Sequence, residues 1–456
     1  MQLKRLLSEN KILLLIILLS LIIHLVLFFN LHPSNEEFFA QKVLISDGPG
    51  YQELALSILG NKDFSGFSGF RTPGYPLFIA LVYSIFGINL WPVIFFQILF
   101  NFGSLVLVYF LAKEFLESKK AAFLACFFMS VEMLLVCWSL TVMSETLFLF
   151  FLLLASLFLL RAFRCHDFNH YILAALFFGI ATLIRPVLQY LVIIVFLFIL
   201  IWLICEHLLK KKQKNIFKIA WGPVAFLAIF MLVLSPWQLR NFYEYNYYSL
   251  SSIAGYNLLT YNAATAKAVK ENIELGMARK RLEKNLNLEN IKNPFYKSVK
   301  QQEIALSYIK NNLKSYLVLH FKGVVNMFLG TEKNKLMHIL DLKIEEHPST
   351  VLKESFKDRI LRVIETSKKE FFISPILVAI QFLEYFLAII GLVILCLKKR
   401  WFYVIFLLLI ILYFINTSGI VARPRFKIPI VPFYLILSGY GAYYLMQIKK
   451  LKRQKI

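Results

Sequence analysis

Cysteine is scarce in this chain, and it fits neither of its usual structural uses. Cys126, Cys137, Cys165, Cys205 and Cys396 lie in or beside apolar runs, at no spacing suited to a thiolate metal site. A disulfide framework and a cysteine metal centre are both disfavoured. The eight histidines are scattered without HExxH spacing, and neither a glycine-rich phosphate loop nor a GxSxG elbow occurs. Hydrolase and nucleotide-driven chemistries therefore lack their usual sequence supports. Acidic residues are few, 27 against 50 Lys and Arg, which leaves a net charge of +23. Internal repeats, heptads and low-complexity tracts are missing as well.

What the chain has in excess is apolar surface. Of its 456 residues 59% are hydrophobic, and the mean hydropathy is +0.66, well above a soluble globule of this length. An all-α, polytopic membrane protein is expected. The basic residues sit in short clusters beside apolar runs and in one long loop, which favours membrane anchoring and contact with anionic lipid over nucleic acid.

Apolar runs fall near 12–31, 91–112, 121–139, 146–161, 171–184, 187–206, 219–237, 373–397, 401–418 and 429–447, which predicts about ten transmembrane helices. The first, at about 20 residues, is long enough to cross a bilayer core and reads as a retained helix rather than a cleaved signal. If every run crosses once, Lys113/Lys119/Lys120, Arg161/Arg164, Lys210 to Lys218, Lys398/Lys399/Arg400 and Lys449 to Lys455 share a side with Lys4, Arg5 and Lys11. The positive-inside rule then places both termini in the cytoplasm. Arg185-Pro186 interrupts the fifth and sixth runs, which leaves a hairpin within the outer leaflet as the alternative to two full crossings. The apolar stretch 76–88 is short and is expected to lie along the interface.

This topology turns three regions outward: residues 32–90, the turn near 140–145 and a long loop from about 240 to 372. Tyr51, Leu54, Ala55, Ile58 and Leu59 repeat at helical spacing, so a membrane-parallel helix follows Asp47-Gly48-Pro49-Gly50. Leu313 to Leu329 is a second amphipathic run. The division expected is a membrane core over 1–240, an outer loop region with amphipathic helices over 241–372, and C-terminal transmembrane helices over 373–456.

Ionisable residues on the outer side share a pattern, each beside a proline or a helix end: Arg71 before Thr72-Pro73, Glu145 at the start of the fourth run, Arg185 before Pro186, Arg240 after Pro236-Trp237, and Arg423, Arg425 and Lys427 around Pro424 and Pro429. Cations gathered at membrane depth point to a shared anionic partner. Each also has a plainer reading. Asp47 suits a turn or helix cap, Glu145 a helix N-terminus, and the arginines can snorkel to headgroups. Trp91, Trp138, Trp237 and the tyrosines from Tyr243 to Tyr248 read mostly as an aromatic belt.

The order of these features resembles the GT-C class of polyprenyl-phosphate-sugar-dependent glycosyltransferases, in particular the bacterial branch related to protein O-mannosyltransferases and to the lipid A aminoarabinose transferase, family 39-like. The matching elements are Asp47 four positions before Tyr51, Arg71-Thr72-Pro73-Gly74-Tyr75-Pro76, Glu145-Thr146-Leu147, Leu183-Ile184-Arg185-Pro186, Pro236-Trp237-Gln238-Leu239-Arg240-Asn241 and Arg425-Phe426-Lys427-Ile428-Pro429. Two departures stand out: Arg71 where Lys is usual, and Glu145 where several relatives carry Asp.

The resemblance implies a sugar donor on polyprenyl phosphate, transferred at the outer face of the bacterial inner membrane to a lipid, glycan or protein acceptor. Asp47 would act as base in an inverting displacement, with Glu145 as the second acid. Arg71, Arg185, Arg240, Arg425 and Lys427 would hold the donor phosphate, with an anionic acceptor as the alternative for Arg425 and Lys427, and Tyr51 and Tyr75 other parts of the substrates. No metal is required by this set, although Glu145 could take a divalent cation. The alternatives are a transporter or flippase for an anionic lipid-linked sugar, which would bind without chemistry, and a ligase joining two lipid-linked glycans.

Overall fold

The computed structural model describes residues 11–165, 167–210, 216–284, 290–342 and 373–453. The expected roles of Lys4 and Arg5, the core of the 210–218 cluster, and the loop segment 343–372 lie outside those residues. Among the described residues the chain is helical throughout, with no strand.

Seven helices among the described residues are long and apolar enough to cross a membrane: Lys11–Phe29, Leu90–Leu116, Glu145–Cys165, Leu188–Cys205, Trp221–Tyr245, Pro375–Leu397 and Pro424–Ile448. The run expected as one span over 121–139 is instead two helices, Lys119–Val131 and Met133–Ser139, bent by 55°. The cause is Glu132. Its backbone is extended, and its side chain turns back to accept from the Leu134 N–H at 3.3 Å, which starts a new helix in the middle of an apolar run. Counted as one, the bent pair is an eighth crossing. The runs at 171–184 and 401–418 form shorter helices, Phe168–Ile184 and Trp401–Thr417, each of 17 residues; ten crossings are reached only if both of these cross. The helix expected to end at 237 runs on through Pro236 to Tyr245.

Capping residues set several of the boundaries. Asn35, Asn89, Ser118 and Asp167 each accept a backbone N–H from the first turn of the helix that follows, meeting donors that have no partner inside the helix. Packing joins the long helices in a row: the helix ending at Tyr245 lies on Phe168–Ile184, which lies on Glu145–Cys165, then Leu90–Leu116, Lys119–Val131, Val431–Arg453 and Ile373–Leu397. At the last of these contacts Gly391 faces the Leu437 carbonyl and Gly441 faces the Leu387 carbonyl, with no room for a Cβ on either. Small residues of this kind let membrane helices approach backbone to backbone.

The two ends of the bundle differ chemically. At one, Arg400 forms a two-point ion pair with Glu117 at 2.8 and 2.7 Å, and Arg161 pairs with Glu114 at 2.7 Å. These are clusters that the charge pattern put on a common side. At the other end the first loop folds back as three helices, Glu36–Val43, Gly48–Asn61 and Gly74–Phe86. The Gly74–Phe86 helix packs on Gly48–Asn61 and on Phe168–Ile184.

Candidate active site

Two turns and the start of a helix build this second end. After Val43, whose carbonyl accepts from the Val142 N–H at 3.0 Å, the chain passes Ser46 in a left-handed conformation, φ 54°. It then begins the Gly48–Asn61 helix with Pro49 in the first turn, where a fixed φ and a missing N–H cost nothing. Asp47 stands at the N-cap position but caps nothing: its backbone is helical and its side chain makes no bond to the helix. Its Oδ1 accepts from Arg71 Nη2 at 3.0 Å, and Oδ2 lies 3.8 Å from Arg425 Nη1. The Asp47 side chain is 40% exposed while the Arg71 and Arg425 side chains are 19% and 18% exposed. The cations form a wall and the acid faces out from it.

Arg71 also lies over the Tyr51 ring, 4.4 Å from its centroid, a contact that suits a planar, weakly hydrated cation. The Tyr51 hydroxyl is 3.3 Å from Ser144 Oγ, which leads to the next residue, Glu145. Glu145 opens the Glu145–Cys165 helix, where negative charge is favoured. It is 2% exposed, and its Oε1 pairs with Arg185 Nη1 at 2.9 Å. Its Oε2 is buried without a hydrogen-bond partner. Arg185 precedes Pro186, which forces an extended backbone and ends the Phe168–Ile184 helix there. The Thr72 hydroxyl donates to the Ile184 carbonyl at 3.3 Å, and a Cβ on Gly74 would lie 2.7 Å from the Leu183 carbonyl oxygen. The loop carrying Arg71 thus rests on the helix end carrying Arg185.

The structure brings Asp47, Tyr51, Arg71, Glu145, Arg185 and Arg425 together and leaves three expected ligands elsewhere. Arg240 donates to the carbonyls of Phe64 and Phe67, both at 2.9 Å, and to Asn241 Oδ1 at 3.0 Å, with Trp237 and Tyr245 against its guanidinium. Its donors hold the 63–70 loop instead of facing a phosphate. Lys427 is 1% exposed, and its Nζ donates to Gln381 Oε1 at 2.6 Å, to the Gly330 carbonyl and to the Tyr385 hydroxyl. Tyr75 is fully buried; its hydroxyl donates to Gln97 Oε1 at 2.6 Å, so it supports Tyr51 edge-on from inside. The belt reading also fails for two tryptophans. Trp237 is buried and donates to the Leu250 carbonyl at 2.9 Å, and Trp138 is buried with Arg425 against its ring.

Next to Asp47 opens a cavity of about 490 Å³, formed by residues far apart in the chain and so not legible from their order. Its walls include Ser46, Trp138, Lys335, His338, Arg423 and Arg425. Arg425 Nη1 donates to Ser46 Oγ at 3.2 Å, joining the cavity to the turn that carries Asp47. Among the described residues no three His, Cys, Asp or Glu side chains converge on a metal position. Glu145, already paired with Arg185, offers one free carboxylate oxygen, so this donor set fits a divalent cation poorly.

Residues 71–237 match the family model described as dolichyl-phosphate-mannose-protein mannosyltransferase. No curated protein sequence matches the chain. Among solved structures, the apo oligosaccharyltransferase of Archaeoglobus fulgidus overlays with a TM-score of 0.52 at 13% identity, over 96% of this chain and 51% of that one. The same organism's AglB, in complex with an inhibitory peptide and a dolichol-phosphate, gives 0.53 at 13% identity over 98% and 52%. ArnT from Cupriavidus metallidurans overlays at 0.37 with 11% identity, over 93% and 76%. The chain spans about half the length of the oligosaccharyltransferases whose fold it shares.

Proposed function

We propose that this chain, which has the GT-C glycosyltransferase fold, moves a sugar from a polyprenyl-phosphate carrier to an acceptor at the outer face of the membrane. The observation that carries the reading is Asp47. It is an exposed carboxylate at a helix N-cap that caps nothing and is faced by two largely buried arginines.

The chemistry asks for a base and a stabilised leaving group. The acceptor O–H or N–H attacks the anomeric carbon and passes its proton to Asp47. The bond from that carbon to the phosphate oxygen breaks on the opposite face, and the electron pair leaves with the polyprenyl phosphate. A positioned carboxylate contributes about 10²–10⁴-fold in such a step. Phosphate is already a good leaving group and needs positive charge rather than an acid. Arg71 and Arg185 supply it with fixed, permanently charged forks, in a poorly hydrated setting where such charge is worth several kcal/mol. Glu145 keeps Arg185 in place through its 2.9 Å ion pair.

The test is release of radiolabelled sugar from polyprenyl-phosphate donors by the full chain in nanodiscs. Wild type is expected to release it, and Asp47→Asn to do so at least about 100-fold more slowly. Equal rates would remove Asp47 as base. Donor that changes leaflet uncleaved by wild type would favour transport.

A further inference from the structure

The cavity beside Asp47 carries more positive charge than one donor phosphate explains. Lys333, Lys335, Arg423 and Arg425 line it against the single carboxylate of Glu332. Lys335 is 6% exposed, and its Nζ has no hydrogen-bond partner. Arg425 Nε and His338 Nε2 are likewise buried without partners. Native structures seldom leave such donors unmet, and a buried ammonium without an anion is costly. The Trp138 ring centroid lies 6.0 Å from Lys335 Nζ and 5.7 Å from the Arg425 guanidinium, contacts that favour both cations but meet none of their hydrogen bonds. The segment is braced from behind, since Lys42 Nζ donates to the His338 carbonyl and to Asp341 Oδ1, both at 2.7 Å. At about 490 Å³ the space is that of a small-molecule site.

Its placement says which substrate it serves. One oxygen of Asp47 faces Arg71 and the other faces Arg425, so the carboxylate stands between the Arg71–Arg185 side and the cavity. A base in a displacement needs the donor on one side and the acceptor on the other. We propose that the cavity binds a phosphate group of the acceptor, so that the acceptor is a phosphate-bearing glycan or lipid, with Lys335 and Arg425 as its ligands. This rests on the reading of Asp47 as base.

Binding and turnover are measured separately, so that each idea can fail alone. The full chain in phosphatidylcholine nanodiscs is titrated calorimetrically with inorganic phosphate, glycerol 1-phosphate and acetate, with and without polyprenyl phosphate in the bilayer. Saturable binding of both phosphates, stronger than of acetate, is expected. Lys335→Gln should weaken it by about tenfold or more, while Lys335→Arg, which keeps a charged donor, should stay within about threefold. Undiminished binding in correctly folded Lys335→Gln, as judged by an unchanged thermal midpoint, would overturn the proposal. Competition between glycerol 1-phosphate and polyprenyl phosphate would also overturn it, because the cavity would then be the carrier's. Simultaneous binding supports it. Asp47→Asn turnover at the wild-type rate would sink the base assignment whatever the titrations give.

Discussion

Lys335 is a residue whose surroundings decide its charge. Burial pushes its ammonium down to about 8, Cys137 and Glu332 oppose that fall, and Lys42 adds to it; Lys333, His338, Arg423 and Arg425 are the other titratable groups lining the same space. A folded-state value below the ordinary lysine range means that the charged form is disfavoured on folding, so Lys335 contributes more stability as pH rises through about 8. Anion binding has the opposite sign, because it needs the proton. Affinity for glycerol 1-phosphate should therefore drop between about pH 7 and 9.5, above the second ionisation of a phosphate ester near 6, and Lys335→Arg should flatten that drop in the same calorimetric titration. His338, also lowered by burial, titrates below this window. None of this was legible from the chain. Lys335 is one of many lysines in a polar loop, and its meaning comes from Trp138 and Arg425, which belong to other elements. Arg240 and Lys427 fail in the reverse way: before packing, a cation beside a proline looks the same whether its donors meet a ligand or the carbonyls of Phe64 and Gly330.

Helices were easier to read than the breaks within them. A run such as Ile12 to Leu31 declares itself by length and composition, and Tyr51 to Leu59 by its spacing. The bend at Glu132 is hidden, because one acid in an apolar run is equally a buried charge, a cap or a boundary until its oxygen is seen on the Leu134 N–H. Gly441 lies against the Leu387 carbonyl of the facing helix, so Gly441→Val must push Val431–Arg453 away from Ile373–Leu397. Overpacking of this kind costs about 1–3 kcal/mol. The thermal midpoint of the detergent-solubilised protein should fall, while the same change at Gly60, which faces open space, should carry only the small gain in helix propensity of Val over Gly. An unchanged midpoint at Gly441 would mean that the two helices have slack.

Across the whole molecule the arrangement is polar. Glu117–Arg400 and Glu114–Arg161 gather at one end, and Asp47, Glu145, Arg185 and Arg425 at the other, as the charge pattern anticipated without knowing which residues touch. On the positive-inside rule we propose that the first end is cytoplasmic. In a variant lacking the native cysteines, Asp63→Cys should react with a membrane-impermeant maleimide in intact cells and Lys119→Cys only after permeabilisation; the reverse pattern would place the candidate site inside. The fold also sets the spacing of the two arginines proposed to grip phosphate. The Thr72 hydroxyl sits on the Ile184 carbonyl, one residue from Arg71 on one strand of chain and one from Arg185 on the other, and Gly74 closes against Leu183. Arg71 and Arg185, more than a hundred positions apart in sequence, thus share one mounting. They work as the fixed jaws of a caliper, so rocking between helices carries the pair along together and leaves the gap between them unchanged.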